Sequence, residues 1–293
     1  EFTAGKDALK EDFIRAVNDF GSFEAVRSNT VDRTSAFRVR KIGGGRAGEN
    51  RLTRWLKKLG VFGCNSHAKF IPPEVFTLKI ELVRLFLNRL FATDGWASVL
   101  STGQAQTGFA SVSEKMIRQI QHLLLRFGVI ANLKKRSVKY KDSRRTAWQL
   151  DITDAVSIRT LGREIGIFGK EDVFQQIFAL LEKRGYKPSK DLIPLEIGRH
   201  VSAVKGVESW SSLAKRAEIQ GYSNIHAGSR APTRERLSKL ADALDDNFLR
   251  NLSNSEIFWD EVVSIEFSGN KQVYDLTVPG THNFVANDIC VDN

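Results

Sequence analysis

At 293 residues the chain can bury a sizeable core and hold two or three folding units. Lys and Arg number 44 against 34 Asp and Glu, a net charge of +10 with a pI near 9.6, which favours a phosphate-bearing partner, nucleic acid first. Cys64 and Cys290 are far apart and lack ligand spacing, so neither a disulfide framework nor a zinc site is indicated, and no apolar run or leader points to a membrane or to secretion, so the reading is cytoplasmic with no membrane partner.

The chain opens on Glu1-Phe2-Thr3, strand-like and without an initial Met, and runs straight into a helix, as a fragment beginning inside a domain would. Over residues 7–20, Leu9, Phe13, Val17 and Phe20 recur at helical spacing, with Gly21 where a C-terminal cap belongs. Residues 37–42 alternate apolar with basic, as in a half-buried strand whose other face turns Arg38 and Arg40 towards an anion or towards solvent. Gly43-Gly44-Gly45 ends that strand, residues 51–59 read as a basic helix, and Pro72-Pro73 marks a boundary. An apolar helix follows over 77–91, ending at Asp94-Gly95. Strand-like 108–112, helical 114–127, and strand-like 130–138 and 146–152 continue an α+β order, with more helix after it. A stretch punctuated by Pro and Gly, 187–206, leads to two helical segments, 210–220 and 233–252. The tail reads as β: strands over 261–267 and 272–278 joined by a hairpin turn at Ser268-Gly269-Asn270.

Leu87-Asn88-Arg89-Leu90-Phe91-Ala92-Thr93-Asp94-Gly95 resembles the second LAGLIDADG motif of DOD-type homing endonucleases, and the resemblance extends over about residues 1–185. In that family two such helices pack side by side, each ending in a carboxylate over DNA. Asp94 would be that carboxylate, and with Mg²⁺ it would polarise a scissile phosphate and activate water. Ser66-His67-Ala68-Lys69-Phe70-Ile71-Pro72 resembles the block preceding this motif, with Lys69 placed 94 − 69 = 25 residues ahead of Asp94. Ile165-Gly166-Ile167-Phe168-Gly169-Lys170 resembles the segment with the second catalytic lysine, Lys170. Arg89 and Ala92 depart from the small and acidic letters of the motif, and a first motif helix would lie upstream of Glu1.

The helical segments resemble the helix-turn-helix insert of some intein endonucleases, in which Arg230, Arg234 and Arg236 would meet DNA phosphates; the other reading is a structural helix pair whose arginines face water. The most specific resemblance is at the end. Val273-Tyr274-Asp275-Leu276-Thr277-Val278-Pro279-Gly280-Thr281-His282-Asn283-Phe284-Val285-Ala286-Asn287-Asp288, followed by Ile289-Cys290-Val291-Asp292-Asn293, resembles the C-terminal blocks of inteins lodged in bacterial replicative DNA helicases. The resemblance implies that Asn293 cyclises through its side-chain amide and releases the following chain, with His282 as general acid/base and Asp275 as its partner. Asp292 stands where most members carry histidine, removing a hydrogen-bond donor.

The implied architecture is α+β: a LAGLIDADG endonuclease saddle of αββαββα units with a small helical insert, then the C-terminal β strands of a Hint-type splicing domain. Its divisions are 1–70, the remainder of the first LAGLIDADG subdomain; 71–186, the second; 187–253, linker and helix-turn-helix-like insert; and 254–293, the splicing segment. The implied partners are double-stranded DNA, a missing upstream intein segment and the host helicase exteins, with Mg²⁺ for cleavage and no cofactor for splicing. The competing reading is a catalytically inactive DNA-binding relic, and no phosphate-cradling Gly-x-x-x-x-Gly-Lys-Ser/Thr loop supports helicase chemistry in the chain itself.

Overall fold

The computed structural model describes residues 2–28, 34–43, 49–140, 143–183, 191–220, 230–286 and 288–292. The chain divides into two compact units, Glu1–Tyr186 and Lys187–Asn293. The mixture of helix and sheet is the α+β class read from the sequence.

The first unit begins with β1 (Phe2–Thr3), α1 (Asp7–Asp19), β2 (Phe23–Arg27), β3 (Ala36–Lys41) and α2 (Arg51–Lys58). Strand β3 lies between β1 and β2, antiparallel to both, with Phe37 opposite Phe2 on one side and Arg27 on the other. The pleat sends Phe37 inward and Arg38 and Arg40 outward. Phe13 of α1 stacks on Phe2 at 4.2 Å between ring centres, closing helix onto sheet. Strand β2 carries no clean alternation, which is why sequence reading passed over it.

A 3₁₀ turn, Pro73–Thr77, then precedes α3 (Ile80–Asp94), so the helix starts later than the sequence predicts because Leu78 is extended. There follow β4 (Gly95–Val99), β5 (Ala105–Ser111), α4 (Glu114–Leu125), β6 (Asn132–Tyr140), β7 (Ser143–Ile152) and α5 (Ala155–Thr160). A π-helical turn, Leu161–Ile165, leads by a short loop to α6 (Glu171–Lys183). The antiparallel sheet runs β4-β5-β7-β6, and its last three strands repeat the β1-β3-β2 order of the first sheet. The repeat extends to the helices: Phe2 lies five residues before the start of α1 (7 − 2 = 5) and Phe109 five before the start of α4 (114 − 109 = 5).

Val83, Leu87 and Phe91 recur every fourth residue along α3, and all three are fully buried against Phe109, Ile117, Ile120 and Leu150. Each such burial stabilises by about 1.5–3 kcal/mol. This core fixes the end of α3, where Asp94 stands.

In the second unit, α7 (Ile197–Lys205), α8 (Trp210–Arg216), α9 (Arg234–Leu244) and α10 (Asn247–Asn254) enclose Ile193, Ile197, Val201, Leu213, Leu237, Leu240 and Leu249. Two expectations change here. The stretch 187–206, read as punctuation, contributes a packed helix, because Ile197 and Val201 lie one turn apart on its buried face. The single helix expected over 233–252 breaks at Asp245, which adopts a left-handed conformation (φ 49°), while Asp246 caps α10 by accepting from the Leu249 amide at 2.8 Å.

The expected tail hairpin around Ser268-Gly269-Asn270 is not formed: residues 261–267 and 272–278 make no strand. Ile265 and Phe267 are each 91 % exposed, and no neighbouring strand among the described residues satisfies their backbone or covers their apolar face. Pairing occurs later, between β8 (Asn283–Ala286) and β9 (Ile289–Asp292).

Candidate functional site

Asp94 is the last residue of α3 and is exposed. A carboxylate there faces the negative end of the helix dipole, an arrangement that helix stability does not favour. Gly95 is needed beside it: a Cβ at that position would stand 2.7 Å from both the ring and the carbonyl oxygen of Phe91. The chain can therefore turn at once from α3 into β4 and leave the Asp94 carboxylate at the rim.

Lys170 comes to the same place from the far side of the unit. Its Nζ donates to the Gly95 carbonyl, 75 residues away in sequence. Burial first, and the Lys6 ammonium second, lower its amine pKa from the ordinary lysine value. The loop that delivers it is fastened at several points. Asn88 of α3 donates through Nδ2 to the Ile165 carbonyl at 2.8 Å. Arg89 covers the Phe168 ring at 4.0 Å and holds both oxygens of Asp12 on α1 at 2.6 and 3.0 Å. Arg89, a departure from the small motif letters, thus ties α1, α3 and the Lys170 loop together.

Lys69 is exposed, and its segment is held from α4: Ser113 Oγ donates to the Lys69 carbonyl at 2.5 Å, and Gln119 accepts from the Ile71 amide at 2.8 Å. The structure brings Lys170 next to the residue following Asp94; it records no hydrogen bond or ion pair between Lys69 and Asp94. Among the described residues no cluster of three or more His, Cys, Asp or Glu could enclose a metal ion. A single exposed carboxylate still fits a Mg²⁺ ion that takes its remaining oxygens from phosphate and water.

Arg38 and Arg40 lie on the outward face of β3, and Arg40 also pairs with Glu24 at 3.0 Å across the strands. Sequence reasoning missed the corresponding surface of the larger sheet. On β6 and β7, Lys134, Arg136, Arg145, Gln149 and Asp151 share one face by register and alternation. Asp151 accepts from Lys134 at 2.7 Å and Gln149 at 2.5 Å. Burial acts to raise its pKa, but these hydrogen bonds and the charges of Lys134 and Arg136 outweigh it and leave the pKa lowered. The available signal was the run Lys134-Lys135-Arg136 inside a strand, which makes both faces positive.

The arginines of the second unit separate. Arg230 is exposed. Arg236 is partly buried, and desolvation lowers its pKa. Arg234 has its side chain 19 % exposed inside a cage of acceptors: Nε to Asp191 at 2.6 Å, and Nη1 to the carbonyls of Leu252 at 3.1 Å and Ser255 at 2.7 Å, with Nη2 on Ile257. That geometry commits Arg234 to closing the helical unit and leaves little of it for a phosphate.

At the tail, His282 is exposed with a left-handed backbone (φ 53°), its amide donating to the Val278 carbonyl at 3.1 Å. Asp275 accepts from the Leu276 amide at 2.8 Å. No hydrogen bond joins His282 to Asp275. The backbone of Asp292 ends β9 opposite Asn283, and Asn293 lies outside the described residues. Among the described residues no helix is long and apolar enough to cross a membrane.

Comparison with known proteins covers most of the chain. The replicative DNA helicase DnaB of Nostoc sp. is 34% identical over 250 residues, 83% of this chain and 28% of the helicase. DnaB of Synechocystis sp. is 32% identical over 84% of this chain and 29% of its own length. RecA of Mycobacterium tuberculosis is 24% identical over 85% of this chain and 34% of its own length. The chain thus spans less than a third of the length of the helicases it matches. Residues 81–166, which carry α3, Asp94 and the four-stranded sheet, match the family described as the LAGLIDADG-like domain.

Proposed function

We propose that this chain is the rear part of an intein, in which a LAGLIDADG homing endonuclease cleaves double-stranded DNA and a C-terminal segment takes part in protein splicing. The observation that carries the nuclease reading is the Lys170 amine seated on the carbonyl next to Asp94 at the end of α3. The matched residues 81–166 support it, as does the basic face of β6 and β7. Most of the chain is similar both to DnaB and to RecA, the pattern of an element inserted into different hosts, and the higher identity to DnaB makes a replicative helicase the host.

In this reading Asp94 holds the divalent ion, which when bound supplies Lewis-acid polarisation of the phosphate. Lys170 and Lys69 offset negative charge developing on the phosphoryl oxygens. Arg38, Arg40, Lys134, Arg136 and Arg145 hold the duplex by its phosphates, and Arg230 and Arg236 add contacts from the helical unit. In splicing, the Asn293 side-chain nitrogen attacks its own carbonyl carbon, forming a succinimide as the peptide bond to the next residue breaks, while His282, backed by Asp275, protonates the leaving amine. Exposed Val262, Val263, Ile265, Phe267, Val273 and Tyr274 support an upstream intein segment whose strands would cover them.

The deciding experiment incubates the purified chain with plasmid bearing an uninterrupted helicase gene, with and without Mg²⁺, beside Asp94→Asn. Mg²⁺-dependent nicking or cleavage that Asp94→Asn abolishes is the expected result. DNA binding without any strand breakage, identical in both proteins, would replace this reading with that of an inactive DNA-binding relic.

A further inference from the structure

The repeat in the first unit places two residues at equivalent points, the N-caps of α1 and α4: Lys6 and Ser113. Each reaches a segment that carries one of the two lysines. Ser113 Oγ donates to the Lys69 carbonyl, and Lys6 Nζ donates to the carbonyl of Gly169, the residue immediately before Lys170. The two caps differ in what else they do. Ser113 is buried and also caps its own helix, accepting from the Met116 amide at 3.2 Å, as serine commonly does. Lys6 makes no side-chain cap, so its helix gains nothing from it locally. Its long side chain instead spans 163 residues of sequence and brings a second ammonium beside Lys170.

We propose that Lys6 is a positioning residue of the nuclease centre, acting through the Gly169 carbonyl to hold the Lys170 loop in register with the end of α3. The proposal rests on the reading of Lys170 as a nuclease residue. The loop needs such a fastening: it leaves a π-helical turn and passes through two left-handed glycines, Gly166 (φ 69°) and Gly169 (φ 75°), within five residues of chain. Asn88 secures its beginning at Ile165 and Arg89 its middle at Phe168, and Lys6 secures the last peptide before Lys170. A cation suits the task because a charged donor binds a carbonyl more strongly than a neutral one.

Hydrogen exchange of the full chain tests this, comparing wild type with Lys6→Met and Lys6→Arg and using the buried turns of α3 as internal reference. Lys6→Met is expected to speed exchange of the Lys170 amide, which bonds the Ile167 carbonyl at 2.9 Å, by about tenfold while α3 exchanges as before. Lys6→Arg, which keeps the charged donor, is expected to restore slow exchange, and Mg²⁺-dependent nicking should fall and recover in parallel. Wild-type exchange in Lys6→Met, or equal loosening in both variants, overturns the proposal. If instead Asp94→Asn nicks DNA as well as wild type, the nuclease reading fails while the exchange result stands, so the two failures are separable.

Discussion

Helix α3 and the stretch 261–278 are both rich in large apolar side chains, and they end in opposite circumstances. Val83, Leu87 and Phe91 vanish from solvent, whereas Ile265 and Phe267 remain almost wholly in it. Periodicity states which side of a segment requires a cover; it does not supply one. For α3 the cover is the β4–β7 sheet and α4, within the same unit. For the tail, no described residue provides it.

The largest expected effect sharpens that contrast. Phe91→Ala should cost about 3–5 kcal/mol in urea denaturation, because it opens a cavity among rings and aliphatics that cannot close around it. Next comes a test of whether the second unit depends on its apolar core alone: Arg234→Met should cost about 2 kcal/mol and unprotect the amides of α10 in hydrogen exchange. That figure is set below the 3–5 kcal/mol typical of a broken buried pair because Arg234 and Asp191 keep 19 % and 35 % of their side-chain surface. The smallest effect belongs to Phe267→Ala, within about 0.5 kcal/mol of wild type for this chain. A loss near that of Phe91→Ala would break the comparison and reveal a cover for the tail.

Much of the fold was legible locally. The helical spacing over 7–20, 51–59 and 114–127 lies where α1, α2 and α4 form. Strand β4 was not legible, because it follows Asp94 with no turn between and is defined by pairing with β5. The candidate site divides in the same way. Asp94 could be placed at a helix end from the sequence, but its proximity to Lys170 could not, since that contact depends on how α3, the π-turn and α6 pack. The role of Arg234 was hidden for a similar reason: besides Asp191, it holds backbone carbonyls 18 to 23 residues further on, which have no residue signature.

The Arg234 cage also has a consequence in polymer terms. Asp191 and the Ser255 carbonyl meet on one guanidinium, so two points 64 positions apart in sequence (255 − 191 = 64) close a loop fastened at a single side chain. Closing a loop of that length costs conformational entropy that grows only slowly with further residues. To the segments on either side, the chain that holds α7 to α10 is therefore topologically equivalent to a short connection, and changing its length within the fastened ends leaves the path of the outer chain almost unchanged.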